Sequence, residues 1–237
     1  MVHNSPAPEP LNGGRIFQAA VSVFRENFLV LFGTSFLAYL GIWAVMSLLQ
    51  LLLGLSSLWV NYLVGPVISA LILLMTADIL SGGPVVIRPH FGRISAVLGP
   101  LIILSLVAQV LISLGFVAFI VPGIYVAAGL FILGPVLLFE DTKWEAWGRA
   151  WSMSKPYIWQ IAGVILRYIL VSAFVFIPVV FMLAPYVIAP EEGELVPVPI
   201  LLQGLNLFVT SAISVFGSIL KVLVYHRISG GAASVFE

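Results

Sequence analysis

Long runs of apolar residues alternate along this chain with short polar connectors. Most runs approach the roughly 20 residues that a helix needs to cross the hydrocarbon core of a bilayer. A transmembrane barrel would instead need strands of about ten residues in which apolar and polar positions alternate, and these runs do not alternate. The pattern predicts six transmembrane helices, over Phe28 to Leu53, Ser57 to Leu80, Val97 to Val121, Ile124 to Phe139, Trp159 to Ala184 and Val198 to Val224.

The fourth run is shorter than the others and covers only about 24 Å at 1.5 Å per residue. We therefore expect it to take its first turn from the corner formed by Pro122 and Gly123.

The connectors that precede the odd-numbered spans include short amphipathic segments. In the first segment the apolar residues fall on one face of a helix and the polar residues on the other, which is typical of a helix lying in the membrane interface. The apolar face carries Ile16, Ala20, Val23 and Phe24. A shorter segment of this kind covers Phe91 to Val97. These features predict an all-α polytopic membrane protein whose six helices form three hairpins with interfacial amphipathic helices.

The third such segment, between the fourth and fifth spans, carries a tryptophan face. Trp144, Trp147 and Trp151 recur on one side of a helix, with Arg149 and Lys155 on the same segment. Because indole rings favour the headgroup level, we expect this face to anchor the chain in the membrane. A lipid headgroup site or a surface for a partner protein is the alternative.

Composition agrees with a membrane protein, because 61% of the residues are hydrophobic and 8% are charged, against about 25% charged in soluble domains. Most of the 237 residues lie in spans, so we expect a single membrane domain over residues 14–228. A polar tail precedes it (residues 1–13) and a short tail follows it (residues 229–237). The first residues lack the positive charge of a signal peptide, so the first hydrophobic segment is expected to stay attached.

Positive charge is confined to one side of the predicted spans. With the amino terminus inside, the inner segments hold the Lys and Arg residues other than Arg167, including Lys221 near the inner end of the sixth span, and the outer connectors hold none. Cytoplasmic connectors are enriched in Lys and Arg. We therefore predict that both termini lie in the cytoplasm. The formal net charge is zero and no basic run occurs, so nucleic acid is not an expected partner.

Polar residues inside the spans are the candidates for function, because a charge at the bilayer centre costs about 2.5 to 3.5 kcal/mol. Arg167 lies about 12 Å into the fifth span, and Asp78 and Glu140 lie at the inner ends of the second and fourth spans. We predict that Arg167 pairs with one of these acids. With Gln109, in the middle of the third span, they form a predicted intramembrane polar cluster. The cluster either locks helix packing or belongs to an ion or substrate site.

The candidates for cofactor binding are few. His3, His90 and His226 fall outside the predicted spans, and the chain has no cysteine. No phosphate-binding loop, dinucleotide fingerprint or nucleophile with a base at motif spacing is present. We therefore expect no cofactor, no metal and no catalytic site.

Several short motifs are shared with one known family. They are Pro122-Gly123-Ile124-Tyr125 opening a helix, Glu140 at its far end, Ala146 to Lys155 followed by Tyr157 and Trp159, and Tyr225-His226-Arg227 after the last helix. In these motifs the chain, over about Gly14 to Ile228, resembles the membrane domain associated with glycerophosphoryl diester phosphodiesterases and its stand-alone prokaryotic relatives. In fused members of that family, hydrolysis belongs to a separate barrel domain with metal-binding His and Glu residues. The resemblance therefore implies a membrane module without enzyme activity. Together with the charge pattern, it predicts a prokaryotic cytoplasmic (inner) membrane.

These observations favour a non-catalytic membrane module that binds membrane lipids, or a partner protein or second copy of the chain, at the inner membrane face. The alternative is a small transporter with a polar path around Arg167, Asp78 and Glu140. An intramembrane hydrolase of lipid phosphodiesters is the least favoured hypothesis, because no catalytic constellation is recognisable in the sequence.

Overall fold

The computed structural model describes residues 11–53, 58–140, 142–188 and 198–230. Within these ranges all the regular secondary structure is helical, and six helical segments are long and apolar enough to cross a membrane. The protein is therefore an all-α polytopic membrane protein, and the predicted fold class is confirmed.

The spans closely follow the predicted runs. Five are single helices: α2 (Phe28–Leu53), α3 (Leu58–Leu80), α5 (Leu98–Ala118), α9 (Ile158–Ile188) and α10 (Ile200–Ile228). The fourth span consists of two helices, α6 (Ile120–Gly129) and α7 (Leu133–Phe139). Each hairpin of spans is preceded by a short helix: α1 (Gly13–Glu26), α4 (Ile87–Ala96) and α8 (Ala146–Ser154). Single 3₁₀ turns, Lys143–Glu145 and Lys155–Tyr157, flank α8.

The three short helices share one side of the molecule, because each hairpin of spans returns the chain to the side from which it started. This side is called the interfacial-helix face below. The second short helix begins at Ile87, earlier than the predicted Phe91. A proline is tolerated in the first turn of a helix, where its missing N–H has no intrahelical partner to bond, so α4 can begin before Pro89.

The first short helix, α1, packs against the spans. It begins where the Asn12 side chain accepts hydrogen bonds from the backbone N–H groups of Gly14 and Arg15, at 3.1 and 3.3 Å. The rings of Phe17 and Phe24 then contact Phe216 of α10 edge-on, with centroids 5.1 and 6.0 Å apart. This aromatic contact holds α1 against α10.

A proline sets the corner between α5 and α6. Pro122 cannot donate to the carbonyl of Ala118, and its ring would clash with that carbonyl in a continuous helix. The third span consequently ends at Ala118 instead of the predicted Val121, and the fourth gains its first turn at the corner, as expected. The two helices meet tightly, since a Cβ atom on Gly115 would lie 2.8 Å from the Cα of Gly123.

A second proline interrupts the fourth span. Pro135 cannot donate to the carbonyl of Phe131, and the helix is broken over residues 130–132 between α6 and α7. The N–H of Leu133 bonds to the carbonyl of Leu130 at 3.1 Å, a tighter turn than in an α-helix. Irregular backbone at membrane depth occurs only where it is buried in protein or lines a cavity.

The second span of each hairpin lies inside the bundle and the first lies outside. Half of the apolar window is buried in α3, in the fourth span and in α10, against 17% in the windows that contain α2, α5 and α9. The helices α3, α7 and α10 contact one another, while α5 packs on α3, α9 on α6 and α2 on α10. The arrangement of a short helix, an outer span and an inner span thus occurs three times around one centre.

Candidate functional site

A cavity of about 510 Å³ lies at the centre of the bundle. All six spans contribute to its wall, and most of the lining side chains are apolar. The polar lining residues are Tyr39, Ser69, Ser105, Gln109, Tyr168, Ser214, Ser218 and Lys221. We refer to this space as the central cavity.

The central cavity lies at membrane depth. Lys221 precedes the last residue of α10, Ile228, by about 10 Å along the helix axis. Gln109 follows the first residue of α5, Leu98, by about 17 Å on the same scale. Lys221 therefore lies nearer the interfacial-helix face of the cavity, and Gln109 lies deeper in the membrane.

Hydroxyl groups on α10 are held by hydrogen bonds to other helices. The Tyr39 hydroxyl of α2 donates to Ser214 at 3.3 Å, and the hydroxyls of Ser69 and Ser218 lie 3.3 Å apart. The Tyr168 hydroxyl of α9 donates to a backbone carbonyl of α10 at 3.1 Å. These bonds give the α10 wall of the cavity a fixed row of polar groups.

Lys221 is the basic residue of the cavity lining, and none of the described residues that line the cavity is acidic. Within the described ranges, the ion pairs are His90 with Asp78 and Arg149 with Glu140, and neither involves Lys221. The side chain is partly buried. The wall of the cavity therefore carries one positive formal charge that no described carboxylate balances.

The structure places Asp78 at the end of α3, beside α4 and away from Arg167. Its Oδ2 atom lies 2.8 Å from Nε2 of His90, and the His90 side chain is 10% exposed. The contact fastens the end of the first hairpin to the short helix that follows it.

Glu140 occupies the equivalent position at the end of the second hairpin. The Arg149 Nε–H of α8 donates to Oε2 at 2.7 Å, and the buried Tyr225 hydroxyl of α10 donates to Oε1 at 3.0 Å. The hydrogen bond and the negative charge of Glu140 raise the pKa of Arg149. One carboxylate thus joins α7, α8 and α10, and brings together three of the motifs singled out in the sequence.

The predicted ion pair of Arg167 is not formed among the described residues, because both acids have other partners. The Arg167 guanidinium lies at the start of α1, so close that a Cβ atom on Gly13 would be 2.7 Å from Nη1. Gln109 lines the central cavity. The structure therefore separates the four residues of the predicted polar cluster. Position along each helix was readable from the sequence, but the direction in which each side chain points was not.

The tryptophan face of α8 is divided between packing and exposure. Trp151 leaves no room for a Cβ atom on Gly129, and its indole lies edge-on to Tyr125 with ring centroids 5.7 Å apart. Trp147 lines a groove of about 360 Å³ with Trp151. Trp144 is 56% exposed, and Lys155 is exposed as well. Part of the predicted contact surface is thus taken up by packing against α6.

Sequence reasoning missed the position of Lys221 on the cavity wall, and the hydroxyls of Tyr39, Ser69 and Tyr168 that line the same cavity. The depth of Lys221 could have been recognised from the sequence, because it lies about 10 Å inside a span. The charge pattern instead counts it among the basic residues that flank the spans. The hydroxyls gave no signal of comparable strength, since Ser and Tyr occur widely in transmembrane helices.

The described residues contain no group of three or more His, Asp or Glu side chains placed to hold a metal ion. Comparisons with protein-family models, with curated proteins and with solved structures find no match to this chain. The family resemblance of its motifs stays a prediction.

Proposed function

We propose that this protein is a non-catalytic integral membrane protein that binds an anionic lipid, with the lipid headgroup at Lys221 in the central cavity. The observation that supports this proposal is the position of Lys221, on the wall of a cavity of about 510 Å³ whose described lining contains no acidic residue. Small-molecule sites commonly enclose about 300 to 1,000 Å³.

The energetic reason is the cost of a cation at membrane depth that has no acidic partner among the described residues. Insertion scales put this cost at about 2.5 to 3.5 kcal/mol, and an anion in contact with the ammonium group offsets it. The hydroxyls of Ser69 and Ser218 can rotate to donate to the oxygens of such an anion. Apolar lining residues such as Ile112 and Phe116 suit an acyl chain, so an amphiphile matches both parts of the wall.

The lining chemistry also supports a binding role in preference to catalysis. Hydroxyls, one amide and one ammonium group line the cavity. General acid–base catalysis most often uses imidazole or carboxylate groups, and none of these lies among the described lining residues.

The test is lipid retention by variants of Lys221. Protein purified from membranes that contain phosphatidylglycerol is examined by native mass spectrometry. Loss of a charge-assisted hydrogen bond of about 1.5 to 3 kcal/mol corresponds to at least about tenfold weaker binding. We expect that loss for Lys221→Met, with retention preserved in Lys221→Arg and in the control Lys155→Met on the exposed turn. Equal retention of anionic lipid by Lys221→Met and the unaltered protein would contradict the proposal.

The proposed location is a prokaryotic cytoplasmic membrane, with the interfacial-helix face in the cytoplasm. The support is the absence of Lys and Arg from the connectors of the opposite face. Because the chain has no cysteine, single cysteines can be introduced for labelling. We expect a membrane-impermeant maleimide to label Phe119→Cys in intact cells and to label Lys155→Cys only after lysis. The reverse labelling pattern would show that the interfacial-helix face lies outside the cytoplasm.

A transporter is the second candidate, and the broken fourth span favours it. Residues at the break, Leu130 and Phe131, line the central cavity, and discontinuous helices form the substrate sites of many transporters. The discriminating measurement is movement of a fluorescent anionic lipid between the leaflets of proteoliposomes. A transporter gives movement that Lys221→Met abolishes, whereas a binding protein gives no movement above that of protein-free liposomes.

A further inference from the structure

A second cleft, of about 490 Å³, is lined by three arginines from three helices. They are Arg15 of α1, Arg167 of α9 and Arg227 in the last turn of α10. None of the described residues that line this cleft is acidic. Arg15 and Arg167 are both exposed, so their guanidinium groups are open to a ligand. We refer to this space as the arginine cleft.

The first turn of α1 forms the rest of the cleft. Its wall includes Asn12, Gly13 and Gly14, and the start of a helix carries a partial positive charge. The Arg167 guanidinium approaches this positive end so closely that Gly13 has no space for a Cβ atom. Arginine side chains of α9 and α10 thus lie beside the positive end of α1. This arrangement favours a bound anion.

The geometry points to a binding site for a phosphate group in the arginine cleft, with Arg15 and Arg167 as its principal ligands. A guanidinium group is planar and offers paired N–H donors that match two phosphate oxygens. The site is separate from the central cavity, because the lining residues of the two share no member. It therefore does not depend on the function proposed for Lys221.

The position of the cleft allows two sources for this phosphate. Arg227 lies at the end of α10 next to Ile228, and α1 is one of the short helices of the interfacial-helix face. At that level the phosphate belongs either to a lipid headgroup or to a soluble phosphate compound.

The test measures phosphate binding with and without the arginine ligands. Inorganic phosphate is titrated calorimetrically into protein in uncharged detergent, and phosphatidic acid retention from nanodiscs is followed by native mass spectrometry against phosphatidylcholine. Every protein in this comparison also carries Lys221→Met, so that an anion bound in the central cavity does not contribute. We expect Arg167→Gln and Arg15→Gln each to weaken binding at least about tenfold. The control Arg25→Gln, exposed at the other end of α1, should leave binding unchanged. Binding of inorganic phosphate would identify a soluble source, and retention of phosphatidic acid alone would identify a headgroup.

A second variant leaves the number of charges in the cleft unchanged. Gly13→Ala would force the Arg167 guanidinium to move, so binding should fall several-fold while the thermal unfolding temperature stays near that of Arg25→Gln. Because the comparison is made in the Lys221→Met protein, a failure of the function proposed for Lys221 does not alter this test. Absence of binding by Lys221→Met to either probe, or equal binding after adding Arg167→Gln or Arg25→Gln, would overturn the inference.

Discussion

Among the charged side chains within the described spans or at their ends, Asp78, Glu140, Lys221 and Arg167 form two contrasting pairs. Asp78 and Glu140 have basic partners at 2.8 and 2.7 Å. Lys221 and Arg167 have no acidic partner within the described chain, and each lines a cleft in which none of the described lining residues is acidic. The acids are paired within the fold, whereas the two cations lie at the positions where we propose that an anion binds.

The positions of the two acids explain why they pair locally. Each lies at the end of an inner span, and each contacts the short helix that follows, through His90 on α4 or Arg149 on α8. They fasten hairpins to interfacial helices, which is an architectural role. Arg167 and Lys221 lie farther into their spans. Arg167 meets the start of α1, and none of the described residues lining its cleft is acidic, while Lys221 lines the central cavity.

Glu140→Gln should give the largest change in stability and so tests the architectural half of the comparison. The Glu140 side chain is 16% exposed. Loss of its negative charge weakens the hydrogen bonds from both Arg149 and Tyr225. Because hydrogen bonds to charged groups contribute about 1.5 to 3 kcal/mol, we expect a loss of about 2 kcal/mol in the free energy of unfolding. Denaturation in mixed micelles measures it. Glu145→Gln, on the exposed turn, is the control and should change the free energy little.

Asp78→Asn should have a smaller effect of about 1 kcal/mol, because Asp78 has a single partner and its side chain is 30% exposed. The asparagine amide can still hydrogen-bond to His90. The same unfolding measurement applies, with Glu26→Gln as an exposed control. A loss as large as that of Glu140→Gln would mean that the contacts at the ends of the first and second hairpins contribute equally to the free energy of unfolding.

The Glu140–Arg149 contact should not weaken as the pH rises. Because its pKa is raised in the folded protein, Arg149 contributes stability that is fully present below its unfolded pKa and is lost only above its folded pKa. Both pKa values lie in the strongly alkaline range of arginine. The difference in unfolding free energy between Arg149→Gln and the unaltered protein should therefore be the same at about pH 7 and about pH 10. A difference that shrinks over this range would contradict the assignment.

Lys221→Met should give the smallest effect when no anionic lipid is present. Removing a cation that lacks a described partner should change the unfolding free energy by no more than about 0.5 kcal/mol, or should stabilise the protein. The measurement is made in uncharged detergent after exhaustive delipidation. A loss comparable to that of Glu140→Gln would show that Lys221 has a structural partner.

Much of the fold was predictable because apolar length and amphipathic periodicity are local properties. The sequence located all six spans, and prolines set the two features at which the fourth span departs from a continuous helix. Pro122 fixes the corner after Ala118, and Pro135 fixes the break over residues 130–132. The break was not predicted, although Pro135 gave a readable signal.

The site was harder to predict because it depends on which face of each helix turns inward. The depth of Arg167 was readable, but its direction toward Gly13 depends on how α1 packs on α9 and α10. The pairing of Glu140 with Arg149 had a local signal, since the arginine lies on the next short helix. The convergence of Lys221 and Gln109 on one cavity depends on the packing of all six spans, which no local pattern specifies.

The most direct test of the contrast between the paired acids and the cations that have no acidic partner among the described residues compares two variants in two lipid environments. Thermal unfolding is followed for Glu140→Gln and Lys221→Met in nanodiscs of phosphatidylcholine alone and of phosphatidylcholine with phosphatidylglycerol. We predict that phosphatidylglycerol raises the unfolding temperature of the unaltered protein and of Glu140→Gln by the same amount, and that Lys221→Met loses most of this increase. An equal increase in the unfolding temperature of Lys221→Met would contradict the proposal that Lys221 binds an anionic lipid.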